Sequence, residues 1–108
     1  MSTDLIQVQT TVDCSLKAKQ LANQLVEAKL VACVQINRPV SSVYVWDGQV
    51  CQQEEYVLVG KTIRAAWPEL VKLLQQVHPY DEPQIIALPI VQATDSFVNW
   101  VTEQIKVV

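Results

Sequence analysis

The residues of this chain best suited to chemistry gather in His78-Pro79-Tyr80-Asp81-Glu82-Pro83, which holds the only histidine, two of the five prolines and two adjacent carboxylates. An imidazole beside carboxylates suits a borderline metal such as copper or zinc, and a net charge of −3 draws cations toward the protein. Cys33 is a second candidate, because a soft ion such as Cu(I) prefers sulfur. The metal-ligand set read from the sequence is therefore His78, Cys33 and Glu82, for copper or another divalent cation, with no cofactor required. His78 and Cys33 also have plainer roles. His78 would cap the preceding helix, its ring donating to the last carbonyls where Pro79 stops the turn. Cys33 would be a small buried residue at a strand start. A Cys–His hydrolase needs a base beside its thiolate, and no nucleophile elbow, oxyanion loop or orienting acid stands at a recognisable spacing, so no catalysis is expected.

The elements that must position these residues follow from periodicity. Leu5 to Val12 alternates, with Ile6, Val8 and Val12 on one face and Gln7, Gln9 and Thr11 on the other, as in a half-buried strand. Asp13 or Ser15 can cap a helix in which Leu21, Leu25 and Ala28 form one stripe, ending near Leu30. Cys33 to Trp46 reads as one long strand, bent at Arg38-Pro39. Asp47-Gly48 is a strong hairpin signal leading into a strand from Gln49 to Lys61. At ~3.3 Å per residue these two strands reach on the order of 40 Å each, so their ends should protrude. Trp67-Pro68 opens a helix with Leu70, Val71, Leu73, Leu74 and Val77 on one stripe. Gln84 to Val91 reads as a buried strand, with Pro89 suiting an edge, and Asp95 or Ser96 starts a helix carrying Phe97, Val98, Val101 and Ile105. Trp100 is expected in the core.

The order β-α-β-β-α-β-α is the split βαβ, or ferredoxin-like, arrangement of an α+β fold: an antiparallel sheet with helices on one face and a long protruding hairpin. The 108 residues make a single domain with half of its residues apolar. Val43-Tyr44-Val45-Trp46 and Tyr56-Val57-Leu58-Val59 are apolar on both faces, so both sides of the ribbon need covers. Helices supply one, and a second copy of the same sheet is the simplest other, which predicts an oligomer. Glu55 and Lys61 share a face by even spacing and need partners if the ribbon is buried, either a charge pair between subunits or a ligand in a subunit cleft. An acidic chain does not suit nucleic acid or an anionic membrane. Nothing at Met1-Ser2-Thr3-Asp4 resembles a leader, and no stretch approaches the roughly 20 apolar residues of a membrane helix, so the expected location is the cytoplasm. Three cysteines without a Cys-x-x-Cys pair suggest free thiols.

Several local patterns coincide with one family. Ala32-Cys33-Val34-Gln35-Ile36, Ser42-x-Tyr44-x-Trp46-x-Gly48, Glu55, Lys61-Thr62, His78-Pro79-Tyr80 with Pro83, and Trp100 occur in an order and at intervals that span nearly the whole chain. In these the sequence resembles the CutA family of divalent-cation tolerance proteins. The resemblance implies a ferredoxin-like subunit in a tight homotrimer with hairpins reaching onto neighbours. It also implies a link to copper and other divalent cations, with metal binding by some members and no established reaction. Some members carry a cysteine near the end of the first strand and a histidine just before the His-Pro-Tyr, where this sequence has Thr10 and Val77. Two other functions fit the same plan. One is a small-molecule sensor resembling the nitrogen-regulatory PII proteins, which hold ligands between subunits, although no glycine-rich phosphate loop is evident. The other is a structural module that anchors further proteins.

Overall fold

The alternation of β1 (Leu5–Val12) sorts the molecule into two sides, because successive side chains of a strand point to opposite faces. The computed structural model describes residues 3–107, so of the N-terminal tetrapeptide read above, Met1 and Ser2 lie outside the described residues. After β1 come α1 (Ser15–Glu27), β2 (Cys33–Ile36), β3 (Val40–Trp46), β4 (Gln49–Ile63), a short 3-10 turn (Arg64–Ala66), α2 (Trp67–Val77), β5 (Ile86–Pro89) and α3 (Asp95–Gln104). The sheet runs β2-β4-β1-β5 with every pairing antiparallel, and β3 pairs the first half of β4. This is the expected ferredoxin-like plan, and β5 with its Pro89 is an edge strand, paired to β1 alone.

Ile6, Val8 and Val12 turn to the face on which Leu21 and Leu25 of α1 and Leu70 and Leu74 of α2 close the main core. Leu5 points the other way, into a smaller cluster with Ala32 and Val101 of α3. The third helix therefore caps one end of the face opposite the other two. Thr62, wholly buried on the helix side, satisfies its hydroxyl by donating to the Leu30 carbonyl at 2.7 Å and so ties β4 to the end of α1.

The single long strand expected over Cys33–Trp46 is two. Asn37 still donates to the Val57 carbonyl at 2.8 Å, but Pro39 has no N–H to continue the ladder, and the chain resumes as β3 beside the outer half of β4. Asp47 (φ 52) and Gly48 (φ 74) both take the left-handed conformation at the tip, which gives the tight turn its twist. The resulting ribbon accounts for a longest dimension of 45 Å against 26 and 22 Å. Its apolar residues are uncovered in the single chain, with Val50 at 76% exposure and Trp46 at 54%. The β5 strand expected to be buried is exposed along its length, and Trp100, expected in the core, lies on the outside of α3 against Phe97, ring centroids 5.9 Å apart. In both cases the sheet and helices of the described residues leave them uncovered.

Local caps also differ from expectation. Neither Asp13 nor Ser15 caps α1. The N-cap is Cys14, whose Sγ accepts from the Lys17 amide at 3.4 Å, while Asp13 pairs with the Lys17 ammonium at 3.6 Å. At the other end Lys29 (φ 60) occupies the left-handed position. Lys29 donates to Val26 and Leu30 donates to Leu25, the two bonds of a Schellman motif.

Candidate functional site

Val77 ends α2 and packs against the main core, and the chain leaves the helix at His78, whose backbone N–H closes the last turn on the Leu74 carbonyl at 2.8 Å. The His78 ring does not cap the helix carbonyls as expected. It crosses to β1, where Nε2 donates to the Thr11 carbonyl at 3.0 Å, while Nδ1 accepts the Tyr80 amide at 3.1 Å. An amide can only donate, so Nδ1 carries the lone pair and Nε2 the proton. Burial holds the ring below the usual histidine range and outweighs the Thr11 carbonyl and the Glu55 charge, which pull the other way.

Tyr80 stands edge-on to His78, ring centroids 5.0 Å apart, and donates its phenol to Glu55 Oε2 at 2.8 Å. Burial raises the phenol well above the tyrosine range, reinforced by this bond and by the charges of Glu55 and Asp13. Three hydrogen bonds thus run from Thr11 on β1, through His78 and Tyr80, to Glu55 on β4. They clamp the 78–83 segment to the sheet where the hairpin departs.

Between that segment and β3 lies a cleft of about 650 Å³. Thr11 and Glu55 line its sheet side, Tyr44 and Trp46 come from β3, and Tyr80, Asp81 and Glu82 come from the clamped segment. Tyr44 is fixed by its phenol donating to Gln53 Oε1 at 3.0 Å, and Gln53 reaches Asp13 at 3.5 Å. Glu55 is only 8% exposed, accepts the Tyr80 hydroxyl, and has no ion-pair partner among the described residues.

The three residues expected as metal ligands are not brought together. Glu82 lines the cleft, and His78 lies behind it with both ring nitrogens engaged. Cys33 is elsewhere. It pairs with Lys61, four residues along β4 from Val57, which itself pairs with Thr11, and at ~3.3 Å per residue this is about 13 Å. Among the described residues no group of three or more His, Cys, Asp or Glu side chains could hold a metal ion. The donors present therefore do not fit a preformed copper or zinc centre. The same separation leaves Cys33 without His78 as a base. Thr10 and Val77, on the core side, offer no ligand atoms toward the cleft. Thr10 is 2% exposed, and its hydroxyl is buried with no hydrogen-bond partner.

Sequence reasoning did not find the Tyr80–Glu55 bond or the role of Thr11. One signal was present, since a carboxylate set among apolar strand residues needs a partner. Which partner depends on a fold-back from a segment 25 residues away.

The profile of the family described as CutA1 divalent ion tolerance protein matches residues 6–104. The divalent-cation tolerance protein CutA of Thermus thermophilus is 38% identical over 93 residues, covering 86% of this chain and 90% of that protein. The chloroplastic CutA of Arabidopsis thaliana is 39% identical over 95 residues, 88% of this chain but 52% of that longer protein. Among solved structures, CutA1 of Oryza sativa superposes with a TM-score of 0.92 at 32% identity, covering 97% of this chain and 96% of that one. The Thermus thermophilus protein superposes with a TM-score of 0.91 at 35% identity, covering 94% and 99%.

Proposed function

Because the chain belongs to the CutA1 divalent ion tolerance family, we propose that it is a non-catalytic, homotrimeric protein of cation tolerance that holds divalent cations weakly in the cleft beside Glu82. The observation that carries this reading is the concentration of Glu55, Asp81 and Glu82 around one cleft, with Glu55 buried and lacking a cationic partner among the described residues. Oxygen ligands on an open rim suit an ion that keeps most of its water. Of the expected ligands Glu82 is the best placed. His78 joins only by giving up the Tyr80 amide, and Cys33 serves a different part of the sheet.

The uncovered valines of the ribbon, Val43, Val45 and Val50, on the face opposite Tyr44 and Trp46, and the exposed β5 supply the apolar surface for a trimer. Free thiols at Cys14, Cys33 and Cys51 accord with a cytoplasmic location, and no helix among the described residues is long and apolar enough to cross a membrane. A second reading, a small-molecule sensor of the PII kind, is favoured by one observation: a 650 Å³ cleft is far larger than an ion needs and lies in the size range of small-ligand sites.

Calorimetric titration of the purified oligomer with Cu(II), Cu(I), Zn(II) and adenine nucleotides tests these readings. Weak divalent binding is expected, reduced in Glu82→Gln and unchanged in Cys33→Ser. Loss of binding in His78→Ala alone, with Glu82→Gln silent, would overturn the carboxylate assignment. Nucleotide binding without metal binding would favour the sensor.

A further inference from the structure

A buried carboxylate without a counter-charge is costly, and the surroundings of Glu55 indicate what would relieve it. Tyr80 occupies Oε2, no lysine or arginine among the described residues pairs with the group, and the cleft opens beside it. Next to it Thr11 is also only 8% exposed, lines the same cleft, and its hydroxyl has no hydrogen-bond partner among the described residues. Both are polar groups held at the back of a cavity by the sheet. The outer walls are aromatic, with Tyr44 and Trp46 on one side and Tyr80 on the other.

From this arrangement we propose that the cleft binds a small organic cation: an ammonium group that pairs with Glu55 and bonds to Thr11, carried on an apolar body that lies against Tyr44 and Trp46. This rests on reading the cleft as the ligand site and names the ligand's chemical class. Holding a bare metal ion tightly takes several converging ligands, and among the described residues no such group is preformed. An ammonium ion needs only a few acceptors at hydrogen-bond distance, and the faces of aromatic rings attract it. The apolar body uses the volume that an ion would leave unfilled. Asp81 and Glu82, exposed at the rim, raise the local concentration of cations without contacting the bound group.

The test compares benzylammonium chloride with benzyl alcohol, which has a similar shape and no charge, on the intact oligomer, following the backbone amide signals of Thr11 and Tyr80 by NMR. Saturable binding of the ammonium is expected, at least tenfold tighter than that of the alcohol, with both amides shifting. Glu55→Gln should weaken it at least tenfold, and the pair Asp81→Asn with Glu82→Gln less than threefold. Should Glu55→Gln fail to fold, the unaltered protein still answers, because raising the pH until the amine is neutral must abolish its advantage over the alcohol. Equal affinity for both probes overturns the proposal. So does absence of saturable ammonium binding, the result expected if a cation from a neighbouring subunit already pairs with Glu55. Zinc titrated into the same sample separates the two readings. Zinc binding without ammonium binding sinks this inference alone, and the reverse sinks the divalent reading alone.

Discussion

His78 shows how a residue with an obvious chemical identity can be committed to structure. Both ring nitrogens are engaged, and the acceptor Nδ1 is lost on protonation, so the neutral ring is the one the fold needs. The group facing it from β4 is Glu55. Tyr80 comes from its own segment, and Asp13 acts on that tyrosine from the turn after β1. The folded pKa lies below the unfolded value of ~6.5, so the contribution to stability is fully present above ~pH 6.5 and is lost as the pH falls through the folded value. One proton limits the slope to about 1.4 kcal/mol per pH unit. Urea unfolding between pH 7.5 and 4.5 should show this loss, superimposed on the carboxylate titrations, and His78→Gln should remove it. An identical profile for the variant would show that the ring carries no such linkage. Thr10 gives the opposite kind of prediction. Its buried hydroxyl bonds to nothing, so Thr10→Val, nearly the same in shape, should stabilise the protein by about 1 kcal/mol, seen as a higher urea midpoint at unchanged slope. A lower midpoint would mean that the hydroxyl has a partner in the native assembly.

Among the elements, α1 was legible in its stripe and not in its caps. A side-chain cap requires an acceptor that reaches the third amide, and Cys14 holds the position between two better cap formers because the chain enters the helix one residue earlier than Ser15 and one later than Asp13. At the C-terminus Lys29 bears the cost of a left-handed backbone that glycine would avoid. Lys29→Gly should therefore raise stability by roughly 0.5–1 kcal/mol by thermal or urea unfolding. A loss of that size would show that the lysine side chain contributes more than the conformation costs. For the strands, Pro39 decides the outcome. It was visible as an interruption, but its separation of two pairings on the same long partner, β2 on the inner half of β4 and β3 on the outer, is set by register in the sheet.

At the scale of the whole molecule, the single chain leaves apolar surface uncovered. Val43, Val45 and Val50 are exposed on the ribbon, and Ile86 and Leu88 on the edge strand, a distribution that monomeric proteins avoid. In the proposed trimer these surfaces meet neighbouring copies. Sedimentation at micromolar concentration should give one species of three times the chain mass. Val45→Asp combined with Val50→Asp should shift the equilibrium toward smaller species by placing charge in the contact. A monomer in the unaltered protein would overturn the trimer and leave the apolar ribbon unexplained.

What the sequence determined was whatever repeats along one element. The alternation of β1, the stripes of α1 and α2, the Asp47-Gly48 turn and the two-faced apolar ribbon are local patterns, and periodicity alone placed them in a ferredoxin-like order. The motif around His78 was legible as a concentration of polar groups for the same reason. What the tertiary structure decided was every relation between elements. The sheet register sets Cys33 about 13 Å along β4 from the position paired with Thr11, the residue His78 binds, and so separates two proposed ligands. The fold-back of Tyr80 onto Glu55 turns an isolated carboxylate into the wall of a cleft, and the crossing of His78 to Thr11 engages the imidazole with the sheet backbone. These are contacts across 25 to 67 residues of chain. They depend on which faces are buried together, and burial is a property of the packed molecule that no single segment contains.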